Sequence, residues 1–223
     1  MRPHFNLSNA IIATCLLLII VLSSQALGWL PITFGLDLPI MLTINPGWSH
    51  PALDPFFIWV SGRSNFSTPL MLIILIALVW KFRLAGLKLW GVFIATLIVG
   101  DAVGSLLKDL FSQPRPCAEI FELILQPKRV QGGDCGARAT GMPSNHTLNF
   151  VIAAVFLGLS LKKWPWVGLT LAAIALSVSI SRIYLGAHYP GQVLLGASIG
   201  VLIGLLSYRL SARYFRFMTE IKK

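Results

Sequence analysis

Three short segments carry the side chains best suited to binding phosphate and moving protons. The first reads Lys108-Asp-Leu-Phe-Ser-Gln-Pro-Arg115-Pro116. A helix reaching Lys108 must end before Pro114, because the residue preceding a proline disfavours α geometry. The chain then turns, and Arg115 can fold back towards Lys108. A Lys and an Arg placed this way also suit a plain membrane-boundary anchor. The second segment is Gly141-Met-Pro143-Ser144-Asn145-His146. Pro143 suits a first helical turn, and Ser144 can cap the helix or donate to an anion. Free N–H groups and the positive end of the helix dipole make such a start an anion site. His146 lies in that same turn, where a lone interfacial histidine is the blander alternative. The third segment is Ser181-Arg182-Ile-Tyr-Leu-Gly-Ala-His188-Tyr-Pro-Gly-Gln192. Pro190 can open a helix, which puts His188 just ahead of it and Gln192 in its first turn.

The elements that must hold these residues follow from composition. Of 223 residues, 56% are apolar and 12% charged, with 18 Lys+Arg against 8 Asp+Glu and a net charge of +10. That is about half the charged share of soluble domains, which excludes a disordered chain and argues against an ordinary cytosolic enzyme. The surplus charge suits either nucleic acid or the mouths of membrane helices. Stretches free of charge run from Asn9 to Leu36, Ser64 to Trp80, Trp164 to Ser181 and Ile183 to Tyr208. Leu89 to Leu107 is interrupted by Asp101, and Thr140 to Leu161 by His146. A bilayer core needs roughly 17–25 helical residues, so the expectation is all-α, a bundle of six transmembrane helices. The first stretch is too long for a signal-peptide core of about 7–15 residues and is read as a retained helix, although Ser23-Ser24-Gln25-Ala26 resembles a cleavage site. Glycines recurring at 191, 196, 200 and 204 fit close helix packing in lipid.

Charge placement sets the expected orientation. The connections on the side of both termini, Met1–Ser8, Lys81–Lys88, Lys162–Lys163 and Arg209–Lys223, hold 11 cations. The longer opposite set, Asp37–Arg63, Lys108–Arg138 and Arg182–Pro190, holds 7. Positive charge near helix ends marks the cytoplasmic side, so both termini are expected inside and Lys108–Arg138 outside. All three chemical segments then fall on the outer membrane boundary. Cys117 and Cys135 share that outer loop, where an oxidising compartment would permit a Cys117–Cys135 disulfide as readily as two unpaired thiols. Their spacing gives no metal site.

The set resembles the type 2 phosphatidic acid phosphatase superfamily, the lipid phosphate phosphatases that share their site with vanadium haloperoxidases. The family pattern is Lys, six residues, Arg-Pro; then Pro-Ser-Gly-His; then Ser-Arg, five residues, His, three residues, Asp. Lys108, Arg115 and Pro116 match the first; Pro143, Ser144 and His146 the second; Ser181, Arg182 and His188 the third. Order and spacing agree over about residues 65–208, within a single membrane-embedded domain of residues 1–223. The resemblance implies a bacterial inner-membrane enzyme hydrolysing a phosphomonoester or diphosphate lipid headgroup through a phosphohistidine. It implies His188 as nucleophile, His146 as acid and base, and Lys108, Arg115, Ser144 and Arg182 as the phosphate cradle, with no metal or cofactor. Two positions depart from the pattern. Asn145 replaces Gly, adding a side chain near the phosphate, and Gln192 replaces the Asp that orients the nucleophile. Gln192 admits a slower phosphatase, a substitute carboxylate, or a catalytically impaired lipid-binding or transport protein. Asp101, inside an expected membrane helix, is the candidate for that carboxylate, but it reads first as a charge or hydrogen-bond partner for another helix. A phosphotransferase of the same superfamily is the nearest rival. The expected partner is a membrane lipid phosphate (undecaprenyl diphosphate, phosphatidylglycerol phosphate, phosphatidate or a lipid A phosphate) and no nucleic acid. The oligomeric state is not set by the sequence.

Overall fold

The computed structural model describes residues 35–120, 122–125 and 140–221, together with Ser8, Ile12, Thr14 and Cys15. Every regular element among the described residues is helical: α1 (Asp37–Ile44), α2 (Leu53–Val60), a π-helical turn (Arg63–Ser67), α3 (Thr68–Phe111), α4 (Pro116–Glu119), α5 (Asn145–Ser160), α6 (Pro165–Tyr184), α7 (Pro190–Tyr214) and α8 (Phe217–Ile221). Three stretches among them are long and apolar enough to cross a membrane, Arg63–Glu119, Pro165–Tyr184 and Pro190–Tyr214, and α5 is a shorter apolar helix. The expected first helix, Asn9–Leu36, falls almost wholly outside the described residues, as do Cys135 and its pairing with Cys117.

α3 contains two of the expected spans. Its 44 residues are helical except at Arg83, where φ 53° and ψ −128° break the run. Leu70, Met71 and Ile74 face the same cavity as Phe93, Leu97 and Asp101. In a straight helix Ile74 and Phe93 would stand about 28 Å apart at 1.5 Å per residue. The chain therefore folds back at Arg83 into two antiparallel limbs. The polar stretch Lys81–Lys88 was expected as a connection, and it is instead helical on both sides of that one residue. Lys81 lies 5.7 Å from the Trp164 ring centroid, a cation–π contact at this end of the hairpin.

α5 is the central element and packs against α7, α6 and α3. Leu148, Ile152 and Phe156 are fully buried in one cluster with Leu89, Phe93 and Leu195. The Phe93 and Phe156 rings stack at 6.2 Å. Lipid tails are as apolar as these side chains, so close packing rather than expulsion from water holds such helices together. The α7 glycines serve that packing: a Cβ at Gly196 would lie 2.6 Å from the Ser144 carbonyl oxygen. Gly196 thus lets α7 meet the opening of α5 at the backbone.

The expected outer connection Asp37–Arg63 is not plain loop but holds α1 and α2. Their apolar residues find partners: Phe57 and Val60 of α2 join Val178 and Tyr184 of α6 in a second buried cluster. The Tyr184 hydroxyl donates to Asp54, and Asn45 donates to the Tyr184 carbonyl at 2.7 Å. The basic C-terminal segment also folds further than expected. It adds α8, whose Phe217, Met218 and Ile221 are buried against α3.

Candidate active site

Backbone hydrogen bonds lace the three chemical segments together. α3 ends at Ser112, whose φ of 46° reverses the chain before Pro114. The Gln113 carbonyl then accepts from the Gly141 N–H at 2.8 Å, and the Gly186 carbonyl accepts from the Cys117 N–H at 3.2 Å. The Ser144 N–H donates to the Gln192 carbonyl at 3.0 Å, tying the start of α5 to the start of α7. A segment of each motif is thus fixed to another motif rather than to its own neighbours. Asp37 holds the arrangement from α1, accepting from the Gly191 N–H at 2.7 Å in the first turn of α7.

His188 lies at the centre, 2% exposed. Its Nδ1 is 2.7 Å from the Gly141 carbonyl oxygen and 3.2 Å from Gln192 Oε1. Carbonyl oxygens only accept, so Nδ1 carries the proton and Nε2 keeps its lone pair. Burial, then the charges of Arg182, Arg115 and Lys108, push the His188 pKa well below 6.5, against the opposing bond to Gly141. The imidazole is therefore neutral near pH 7 with one nitrogen available to an electrophile. That is the state a nucleophile needs.

Gln192 is engaged in three directions. Besides its contact with His188, Oε1 accepts from the Tyr189 N–H at 3.2 Å, and Nε2 donates to the Pro114 carbonyl at 2.8 Å. It clamps all three segments. A carboxylate at this position would offer no hydrogen for Pro114. The nearer acceptor for His188 is the Gly141 carbonyl, a group that no side-chain pattern reveals.

Arg182 is 3% exposed, and its Nη1 donates to Ser61 between α2 and the π turn. Its Nε has no hydrogen-bond partner among the described residues. A buried guanidinium N–H left unpaired costs free energy unless something accepts from it. An anionic oxygen would do so. The charges of Lys108, Arg115 and Arg182 all act on His188, so the cations of the first and third segments face one nucleophile. Ser144 is fully buried and caps α5, with Oγ 3.2 Å from the Thr147 hydroxyl.

Asn145 sits differently from the sequence expectation, and Asp101 is its partner. Asn145 turns its amide to Asp101, donating from Nδ2 to Oδ1 at 2.9 Å; Asn149 approaches the same oxygen at 3.5 Å. Gly104 leaves the space this requires, since a Cβ there would collide with Asn145 Oδ1. Asp101 is accordingly a partner for α5, and its hydrogen bonds go to those two amides rather than to His188. Beside this cluster a cavity of about 400 Å³ opens between the two limbs of α3, α5 and α6, with His146 and Arg63 among its lining residues. Ser61 meets Arg182 from outside the three segments, and Gly141, which opens the second segment, meets His188 through its carbonyl. Arg63, also outside the three segments, lines the adjoining cavity and left a trace in the sequence as a cation at the start of an apolar run.

Comparison with known proteins points to one family. Residues 90–216 match the model of the PAP2 superfamily. A lipid A 4'-phosphatase of Bacteroides thetaiotaomicron is 30% identical over 78% of this chain and 76% of its own length. One of Porphyromonas gingivalis is 26% identical over 76% and 70%. The crystal structure of a transmembrane PAP2-type phosphatidylglycerolphosphate phosphatase from Bacillus subtilis superposes with a TM-score of 0.65, covering 93% of this chain and 98% of that one at 24% identity.

Proposed function

This chain belongs to the PAP2 superfamily of membrane lipid phosphatases, and from that premise we propose that it hydrolyses a lipid phosphate or diphosphate through a covalent phosphohistidine on His188. The observation that carries the reading is the 2.7 Å bond from His188 Nδ1 to the Gly141 carbonyl, which leaves Nε2 unprotonated beside converging cations.

Nε2 attacks phosphorus, and the bond to the leaving oxygen breaks with its electron pair going to that oxygen. Lys108, Arg115 and Arg182 stabilise the charge on the three equatorial oxygens, with the unpaired Arg182 Nε as one ready donor. Ser144 and the N–H groups opening α5 complete the cradle. His146 protonates the leaving oxygen, then takes a proton from the water that cleaves the N–P bond and frees inorganic phosphate. Gln192 positions His188, and Asn145 lines the substrate cavity while joining α5 to α3. The tautomer of His188 does not depend on the carboxylate that the family places at Gln192. That supports a working enzyme over an impaired lipid-binding or transport protein.

Six spans fit the chain if the two limbs of α3, α5, α6 and α7 are joined by Asn9–Leu36. Charge placement favours both termini in the cytoplasm and the site at the outer boundary of a bacterial inner membrane. There a headgroup enters from water while its tail stays in lipid. A Cys117–Cys135 disulfide would suit that compartment.

The test is phosphate release by the detergent-purified protein from a panel of undecaprenyl diphosphate, phosphatidylglycerol phosphate, phosphatidate and lipid A, with chelator, vanadate and a His188→Ala control. Activity that persists in chelator, is inhibited by vanadate and is absent in His188→Ala is expected. Full activity of His188→Ala refutes the assignment. Transfer of phosphate to an added lipid alcohol in place of water would favour the phosphotransferase.

A further inference from the structure

Arg63 lies outside the three motif segments, on the π-helical turn that opens the first limb of α3. It lines the cavity together with His146, Asp101, Asn145 and Asn149. It makes no hydrogen bond or ion pair with another described side chain. Its charge acts on His146, and on Lys108 and Arg182 as well. Of these groups His146 alone lines the cavity with it, so Arg63 meets the site from the His146 side.

That side has a chemical meaning. In-line transfer places the attacking and leaving atoms on opposite sides of phosphorus. With His188 as nucleophile, the leaving group departs towards His146 and into the cavity. Three cations already act on the nucleophile that the phosphoryl group must meet. A fourth, lining the cavity that receives the leaving group, has no partner there if that group is a neutral alcohol.

We propose that Arg63 is a specificity-determining residue that binds an anionic group on the leaving half of the substrate, so that lipid diphosphates are preferred over lipid monophosphates. This rests on the phosphatase reading above. The His188 Nε2–P bond forms as the bridging P–O bond breaks, and the electron pair stays on the bridging oxygen of the departing lipid monophosphate. Arg63 neutralises that product's charge, and one water then converts the phosphohistidine to inorganic phosphate and free His188. Arg63 is exposed and lines the cavity, which leaves it in reach of a headgroup.

The experiment compares farnesyl diphosphate with farnesyl monophosphate, which share a tail, using the full chain in detergent. Arg63→Gln is expected to lower kcat/KM for the diphosphate about 10- to 100-fold, as for a lost charge-assisted hydrogen bond. The monophosphate should change less than about 3-fold, and Arg63→Lys should recover part of the loss on the diphosphate. Retained monophosphate turnover also reports that the variant is folded. Equal losses on both substrates, or no loss on the diphosphate, overturn the proposal. A wild-type protein that releases phosphate from neither substrate, nor from the wider lipid panel, overturns the phosphatase reading itself.

Discussion

Replacing Gln192 by Met separates the two duties that its position could have. Met has nearly the same length and no polar end, so it removes the hydrogen bonds without opening a large cavity. The Pro114 carbonyl then loses its donor at 2.8 Å and the Tyr189 N–H its acceptor at 3.2 Å. Both bonds are part-buried, so each should cost about 0.5–1.5 kcal/mol and the pair about 1–3 kcal/mol. At about 2–4 °C per kcal/mol for a chain of this size, melting should fall by roughly 2–12 °C. His188 keeps its 2.7 Å bond to Gly141, so the reactive tautomer survives. Turnover by the folded protein should therefore fall by less than about 10-fold, against about 10⁴ when a serine-protease triad loses its carboxylate. Thermal unfolding in detergent and phosphate release from one lipid phosphate measure both quantities on the same sample. A loss of turnover of about 10³ or more, with melting unchanged, refutes the reasoning. It would mean that Gln192 rather than Gly141 sets the nucleophile.

Further outcomes follow from other contacts. Gly104→Ala should cost about 1–3 kcal/mol by driving its new methyl into Asn145, and adding Asn145→Gly should recover much of that loss in a double-mutant cycle read by unfolding. Asp37→Ala removes the carboxylate at the first turn of α7 and should lower stability by about 0.5–2 kcal/mol; an unchanged melting point would show that α1 does not hold the catalytic loop. Because His188 is held below 6.5 by burial and neighbouring cations, the acid limb of kcat/KM assigned to it should lie well below pH 6.5. The sign for stability follows from the same shift. Below pH 6.5 the unfolded chain takes up a proton that folded His188 declines, so this residue lowers stability as pH falls from 6.5 towards its folded pKa. Melting measured in detergent at pH 7.5 and 5.0 should show a smaller drop for His188→Gln than for the wild type.

The chemistry of the site was more legible than its scaffolding. Lys108, Arg115, Arg182, His146 and His188 are long or titratable groups at proline-marked helix ends, and such positions can be read from side-chain type and spacing. The bend at Arg83 could not be read that way. Its neighbours are ordinary helix formers, and one residue in an unusual backbone conformation carries the reversal. Gly141 opens the second segment but had no role there, because it meets His188 through a carbonyl, which every residue has. Ser61 escaped because a lone serine far away in sequence gives no hint that it meets Arg182. The apolar periodicity of residues 37–63 was hidden by their short lengths, so α1 and α2 emerge only through what they bury. Asp101 was correctly suspected of having a partner, and the choice between His188 and α5 needed three dimensions.

The brevity of α5 has a mechanical consequence. Its 16 residues span about 24 Å, against about 30 Å for the hydrocarbon core of a bilayer. Lys162 and Lys163, exposed just beyond its end, would anchor that end among headgroups in the proposed orientation. The shortfall of about 6 Å then falls entirely at the Ser144–His146 end. The outer leaflet must dimple there, or water must descend to meet the helix. A lipid phosphate would reach the nucleophile by sinking into that dimple with its chains still anchored, so membrane thickness becomes a determinant of rate in its own right.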